Sequence, residues 1–328
     1  MRILNTIGEA IDKTFTISAG QVEADICTLG ARINALRVCG VDIALGFNNF
    51  QDYLKSGTYA GATIGRVANR IESGRFILNG RTYSVTCNER GKNHLHGGIA
   101  GFDKKIFTVL SAEKCCVVLQ YISEDNEEGY QGRLTLTVRF GIVDNTLCID
   151  FAAVCDKDTL WSPTNHLYFN LDGEQSGNCL SNVLKLYADY YTPVNRMLIP
   201  TGEILPVKDT PFDFNKQRKI GADLGSAELK ATSGYDHNYI LRGEHAATVK
   251  SKKTGIKMDV YTDLPCVQLY SGGGIPSCAG KNGTYGQWAG FSLEPQYCPN
   301  AINMQGVEQP ILKAGEHKMH YIKYKFSF

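Results

Sequence analysis

Imidazole, carboxylate and amide groups occur in this chain in a few short stretches whose spacing bears on proton transfer. Asn93-His94-Leu95-His96-Gly97-Gly98 sets two histidines at i and i+2. That spacing puts both rings on one side of a strand, ahead of paired glycines that let another group approach the backbone closely. Ser162-Pro163-Thr164-Asn165-His166-Leu167-Tyr168-Phe169-Asn170-Leu171, read as a strand, sends His166, Tyr168 and Asn170 to one face and Leu167, Phe169 and Leu171 to the other. An imidazole, a phenol and an amide in register suit a polyhydroxylated ligand. In Gly290-Phe291-Ser292-Leu293-Glu294-Pro295-Gln296-Tyr297 an apolar run ends at Glu294. Partial burial there raises a carboxylate's pKa and makes it a stronger base, provided a partner keeps it ionised. Two weaker signals are Gly234-Tyr235-Asp236-His237-Asn238-Tyr239, read as a polar loop, and Arg66-Val67-Ala68-Asn69-Arg70-Ile71, two arginines in an apolar setting.

Each stretch also has a plainer reading: a hydrogen-bonded structural pair for His94 and His96, a solvated outer face for His166, an exposed edge charge for Glu294. Taken together they support acid–base chemistry on a polyhydroxylated ligand, or a transition metal held by His94, His96, His166 and Glu294. Other chemistries lack their signatures. The chain has no Gly-x-Ser-x-Gly elbow, phosphate-cradling loop, dinucleotide fingerprint, His-Glu-x-x-His or Cys-x-x-Cys.

The elements that must position these groups read as strands. Val22, Ala24 and Ile26 alternate with polar residues. Leu134, Leu136, Val138 and Phe140 alternate, Asp144-Asn145 turns the chain, and Leu147, Ile149, Phe151 and Ala153 alternate back, which predicts a hairpin. Phe76-Ile77-Leu78 and Thr82-Tyr83-Ser84-Val85 flank Asn79-Gly80, a pair that tolerates positive φ in a two-residue turn. Ile322, Tyr324, Phe326 and Phe328 predict a last strand, and Asn49 to Leu54 is the best candidate for a helix. The expected fold is all-β, a large antiparallel sandwich or barrel with very little helix.

Composition narrows the partners. The 328 residues carry 34 Lys+Arg against 33 Asp+Glu, a net charge of +1, which gives no long-range field for nucleic acid or an anionic membrane. No stretch approaches the roughly 20 apolar residues that span a bilayer, and the first residues turn polar before a signal-peptide core can form. A cytoplasmic location is expected. The 11 cysteines are an odd number, several in apolar runs such as Cys115-Cys116-Val117-Val118 and Cys148-Ile149-Asp150-Phe151, and are expected as reduced core residues. With no linker, repeat or jump in composition, residues 1–328 read as one domain, a monomer or weak homodimer.

Further segments complete a pattern: Leu29-Gly30-Ala31-Arg32 with Leu45-Gly46-Phe47, Gly61-Ala62-Thr63-Ile64-Gly65 leading into the two arginines, Gly101-Phe102-Asp103-Lys104-Lys105, Glu127 to Gly132, Leu198 to Glu203, and Pro211-Phe212-Asp213-Phe214. In this order, with the histidine, aspartate and glutamate stretches, they resemble the galactose mutarotase (aldose 1-epimerase) family over roughly residues 20 to 328. The resemblance implies a β-supersandwich and an aldohexose substrate, galactose or glucose, with no metal or cofactor. By similarity Glu294 is the general base at the anomeric hydroxyl and His166 the general acid at the ring oxygen. His96, with Asn69 and Arg70 beside it, binds the sugar, Asp236 accepts from its hydroxyls, and Tyr168 and Gln268 line the same pocket. Leu167 stands where the family usually has proline, and Met304-Gln305-Gly306-Val307-Glu308-Gln309-Pro310 replaces a longer proline-rich segment. Glu294 is expected to keep His166 protonated and Arg70 to keep Glu294 ionised. The competing readings are a non-catalytic sugar-binding protein, a metal-dependent isomerase, and a hexose-6-phosphate 1-epimerase, the last requiring a cationic pocket beyond Arg66 and Arg70.

Overall fold

A computed structural model describes residues 2–7 and 10–328, with side chains from Asp12 onward. The strongest sequence signals form as expected. Leu134–Val143 pairs antiparallel with Thr146–Cys155, and Asp144 and Asn145 take φ of 46° and 59°, the left-handed pair that matches the twist of a tight hairpin. Asn79 and Gly80 do the same, with φ of 51° and 74°, between Arg75–Leu78 and Arg81–Ser84.

Three larger sheets build the molecule. One has nine strands in the order Thr108–Glu113, Cys116–Ser123, Leu134–Val143, Thr146–Cys155, Lys318–Ser327, Lys257–Thr262, His245–Lys250, Val183–Leu186 and Arg218–Lys219. A six-stranded sheet runs Tyr168–Phe169, Phe291–Gln296, Cys266–Tyr270, Asp236–Leu241, Ala188–Thr192 and Leu205–Pro206. A five-stranded sheet spans Arg2–Ile7 to Val41–Asp42. The nine- and six-stranded sheets face one another across a common core, where Phe169 of one packs on Tyr324 of the other with ring centroids 5.1 Å apart. Only Phe50–Ser56 forms an α-helix among the described residues, capped by Asn49, whose side chain accepts from the Asp52 N–H. The fold class is the expected all-β supersandwich. No helix of the described residues is long and apolar enough to cross a membrane.

Several expectations are corrected. Residues 164–171 do not make one strand: Thr164–Asn165 pairs with Thr63–Ile64, and Tyr168–Phe169 pairs with Phe291–Gln296. Asp236 lies not in a loop but in the strand Asp236–Leu241. Phe328 lies past the end of Lys318–Ser327 and is exposed. The 11 cysteines are all free, but only five are buried; Cys116 and Cys148 fall on the outward positions of alternating strands, and Cys115 on a turn.

The two histidines of His94-Leu95-His96 do not share a face. The strand His94–Leu95 pairs with Arg70–Ile71 and then breaks, because His96, Gly97 and Gly98 have φ of 50°, 88° and 102°. The paired glycines admit neighbouring protein rather than a ligand. A Cβ at Gly97 would lie 1.7 Å from the Gly65 carbonyl oxygen, and one at Gly98 would strike Glu128. Gly97→Ala is therefore expected to lower unfolding free energy by at least roughly 1–3 kcal/mol from backbone strain, with the clash added; urea unfolding that matches the parent would contradict this packing.

Candidate active site

The floor of the site is one face of the six-stranded sheet. Antiparallel pairing places Tyr168, Ser292, Tyr270 and Asp236 opposite one another in one row, and Glu294, Gln268, Asn238 and Thr192 in a second. Alternation sends Phe291, Leu293, Val267, Leu269 and Tyr239 to the other face and into the core. The cost of unpacking those side chains thus fixes the register that brings the polar groups together. The remaining wall comes from Tyr59, from Asn69 and Arg70, and from His96 at its strand break.

These groups line a cavity of about 300 Å³, with Gly57, Arg90, Leu198, Ser233 and Gly274 among those at its rim. A larger groove of about 630 Å³ crosses the outer strands near Glu23, Asp25 and Arg37, but Arg37 is already paired with both carboxylates there. The smaller cavity sets an imidazole against a carboxylate. His166 Nε2 stands 3.6 Å from Glu294 Oε1, with side chains 5 % and 2 % exposed. The structure thus brings together Glu294, His166, His96, Asn69, Arg70, Tyr168 and Asp236. Gln268 sits beside this cavity rather than lining it, donating from Nε2 to Asp236 Oδ1 at 2.6 Å. Asn170 turns away and donates to the Ala289 carbonyl. His94 is bound between the Thr86 carbonyl and the Tyr130 hydroxyl, and Arg66 is spent on carbonyls of Ser123, Glu124, Gln131 and Gly132.

Desolvation governs the charges. Burial first, and Asp236 second, push the Glu294 carboxyl well above the usual carboxylate range, and Arg70 offsets this only in part. Burial brings His166 down to about 4. The expectation of a protonated His166 is therefore not met, because the attraction of Asp236 does not compensate for lost hydration. Burial thus pushes both members of the pair toward their uncharged forms. His96 is held well below its usual value by burial, then by His166 and Arg70. Its Nδ1 accepts the Asn69 backbone N–H at 3.1 Å while its backbone N–H donates to the Asn69 carbonyl at 3.0 Å. With Nδ1 occupied as an acceptor, the ring proton sits on Nε2, so His96 offers a donor to the cavity.

That tautomer bears on the metal reading. His96, His166 and Glu294 each have a ligand atom within 4.8 Å of the others, yet a histidine ligates through a bare nitrogen while its second nitrogen donates outward. His96 has the reverse arrangement, and His94 is elsewhere, so the donor set does not suit an ion.

Sequence reasoning missed Glu89 and Tyr59. Glu89 takes Arg70 Nε at 2.9 Å and Nη2 at 2.8 Å, which leaves Nη1 turned toward Asp236, 4.0 Å away. A search for the counter-charge of a buried arginine would have pointed to Cys87-Asn88-Glu89-Arg90. Tyr59 packs on both pocket imidazoles, and its only signal was an aromatic between Gly57 and Gly61.

Comparison with known proteins agrees with this geometry. A family model described as aldose 1-epimerase matches residues 13–325. The chain belongs to the aldose 1-epimerase family. The human galactose mutarotase is 38% identical over 98% of this chain and 95% of its own, and the aldose 1-epimerase of Escherichia coli is 35% identical over 86% of this chain and 84% of its own. The crystal structure of galactose 1-epimerase from Lactobacillus acidophilus superposes with a TM-score of 0.89 at 28% identity, over 99% of this chain and 97% of that one. Membership makes the chain an isomerase that exchanges sugar anomers.

The neutral histidines give a stability test. His94, His166 and His237 are each held at about 4 by burial and His96 lower still, against roughly 6.5 in an unfolded chain. Between these values the unfolded chain binds protons that the folded chain refuses, so stability falls as pH drops from about 6.5 toward 4. Each histidine contributes up to about 1.4 kcal/mol per pH unit. Glu294 and Asp103, raised by burial, act in the opposite sense but are fewer. Urea midpoints are expected to fall steadily from pH 7 to 4.5; a constant midpoint would mean these rings are charged in the fold.

Proposed function

We propose that this protein interconverts the α and β anomers of an aldohexose, galactose or glucose, with Glu294 as general base and His166 as general acid. The reading is carried by their 3.6 Å separation in a buried cavity, a spacing suited to two oxygens attached to one carbon. Glu294 takes the proton of the anomeric O1–H, the bond between C1 and the ring oxygen breaks, and His166 gives its proton to that oxygen. The C1–C2 bond then turns. The hydroxyl returns its proton to His166 as it attacks the other face of the carbonyl, and Glu294 protonates O1.

The proton count fits the electrostatics. At the aldehyde stage Glu294 is protonated and His166 neutral, the distribution that burial favours. The cyclic sugar is met by the same pair with its one proton moved to the imidazole. The reaction therefore needs no net proton from solvent while the ring is open. Among sugar contacts, Arg70 Nη1 and His96 Nε2–H donate and Asp236 accepts, while Tyr168 closes one side and Gln268 holds Asp236. Asn69 fixes Arg70 and His96. Glu294 Oε2 and His166 Nδ1 are buried without a protein partner, which supports their use on a polyol.

The proposed route draws on side chains of this chain alone and on no metal, cofactor, nucleic acid or membrane, and goes with one domain, 1–328, as a monomer or weak homodimer. Free thiols at all 11 cysteines favour a reducing, cytoplasmic setting. For the hexose-6-phosphate alternative Arg66 points away and Arg70 is paired with Glu89, so a phosphate would have to be met by Arg90 at the cavity's edge.

Polarimetry on freshly dissolved anomers of galactose and glucose, with and without chelator, is the test. Glu294→Gln and His166→Asn are each expected to lower kcat by roughly 10²–10⁴, and chelator to do nothing. Either variant exchanging anomers at the parent rate would remove the assignment. Asp236→Asn is expected to act mainly through KM, and an unchanged KM would detach it from sugar binding.

A further inference from the structure

Tyr59 holds an uncommon backbone conformation. Its φ is 58°, in the left-handed region, where a bulky side chain is an outlier and the backbone is strained. The turn is pinned to the rest of the site. Ala62 N–H donates to the Tyr59 carbonyl at 3.0 Å, Gly61 N–H donates to the His166 carbonyl at 2.9 Å, and His166 N–H donates to the Ala62 carbonyl at 2.9 Å. Arg32 Nη1 holds the intervening Ala60 carbonyl at 2.9 Å. The same turn that strains Tyr59 is thus bonded on both sides of the His166 backbone.

The ring completes the contact. It stacks on His166 with centroids 6.0 Å apart at 27°, and lies 4.7 Å from His96. His166 Nδ1 has no hydrogen-bond partner among the described residues. A catalytic imidazole is commonly oriented by a carboxylate or carbonyl at its second nitrogen. Here that role falls to aromatic packing, from Tyr59 and from Tyr168, whose ring is 4.9 Å away.

We propose that Tyr59 is a positioning residue: its strained turn holds the phenol ring against His166 and so sets where the imidazole Nε2 stands relative to Glu294. The inference rests on the acid role of His166 proposed above. Because a small misplacement of a catalytic group can cost about 10²-fold, the ring acts on turnover and leaves affinity nearly alone.

The test is a double-mutant cycle, with kcat and KM measured by polarimetry and folding checked by thermal unfolding. Tyr59→Leu is expected to lower kcat roughly 10–100-fold with KM within about twofold, and Tyr59→Phe, which keeps the ring, to recover most of that loss. In a His166→Asn background Tyr59→Leu is expected to cost less than about twofold further, because the group it positions is gone. If the two losses multiply, or if Tyr59→Phe is as poor as Tyr59→Leu, the positioning role is overturned while the acid role of His166 stands. If His166→Asn alone turns over like the parent, the acid role fails and this inference with it. Should Tyr59→Leu not fold, Tyr59→Met is judged by the same criteria.

Discussion

The site depends on keeping one proton between a carboxylate and an imidazole that are both nearly cut off from water. In bulk solution at neutral pH the glutamate would be ionised and most of the histidine neutral, and neither would exchange protons readily with a weakly acidic hydroxyl. Burial pushes the glutamate toward its neutral form and deepens the histidine's preference for its own, so the two neutral forms and the ion pair become alternative arrangements of the same proton. Arg70, paired with Glu89 and 4.0 Å from Asp236, offsets part of their negative charge, which limits the penalty of enclosing so many ionisable groups.

The fold supplies that enclosure through sheet register. Glu294 and Gln268 are opposite one another because Leu293 is opposite Leu269 and Val267 opposite Pro295. The apolar face of Phe291–Gln296 and its neighbours is committed to the core shared with the nine-stranded sheet, and a slip by one residue would exchange the two faces. The second wall is less regular. His166 lies between two short strands, Thr164–Asn165 and Tyr168–Phe169, and His96 follows a strand that ends at Leu95. Regular pairing builds the floor, and breaks in pairing aim the imidazoles.

That division explains what could be read in the sequence. Strands with one wet face, such as Leu134–Val143 and Thr146–Cys155, alternate clearly, and their hairpin turn residues were legible as well. The floor strand Phe291–Gln296 is buried on both faces, so alternation did not reveal that Ser292, Glu294 and Gln296 share a side. Period-two reasoning failed at His94 and His96, because the positive φ of His96 is invisible to it, and at Asn170, which lies past the end of its strand. That Glu294 and His166 come together was legible through family resemblance and the local mix of polar groups. Glu89 was not, because its importance lies in a contact with Arg70 across 19 residues.

The reciprocal bonding of His96 with Asn69 has a physiological corollary. A ring that cannot change tautomer and resists a second proton presents the same face to its ligand in acid and in neutral surroundings. The donor that this wall turns toward the cavity is therefore the same whether the surroundings are acid or neutral.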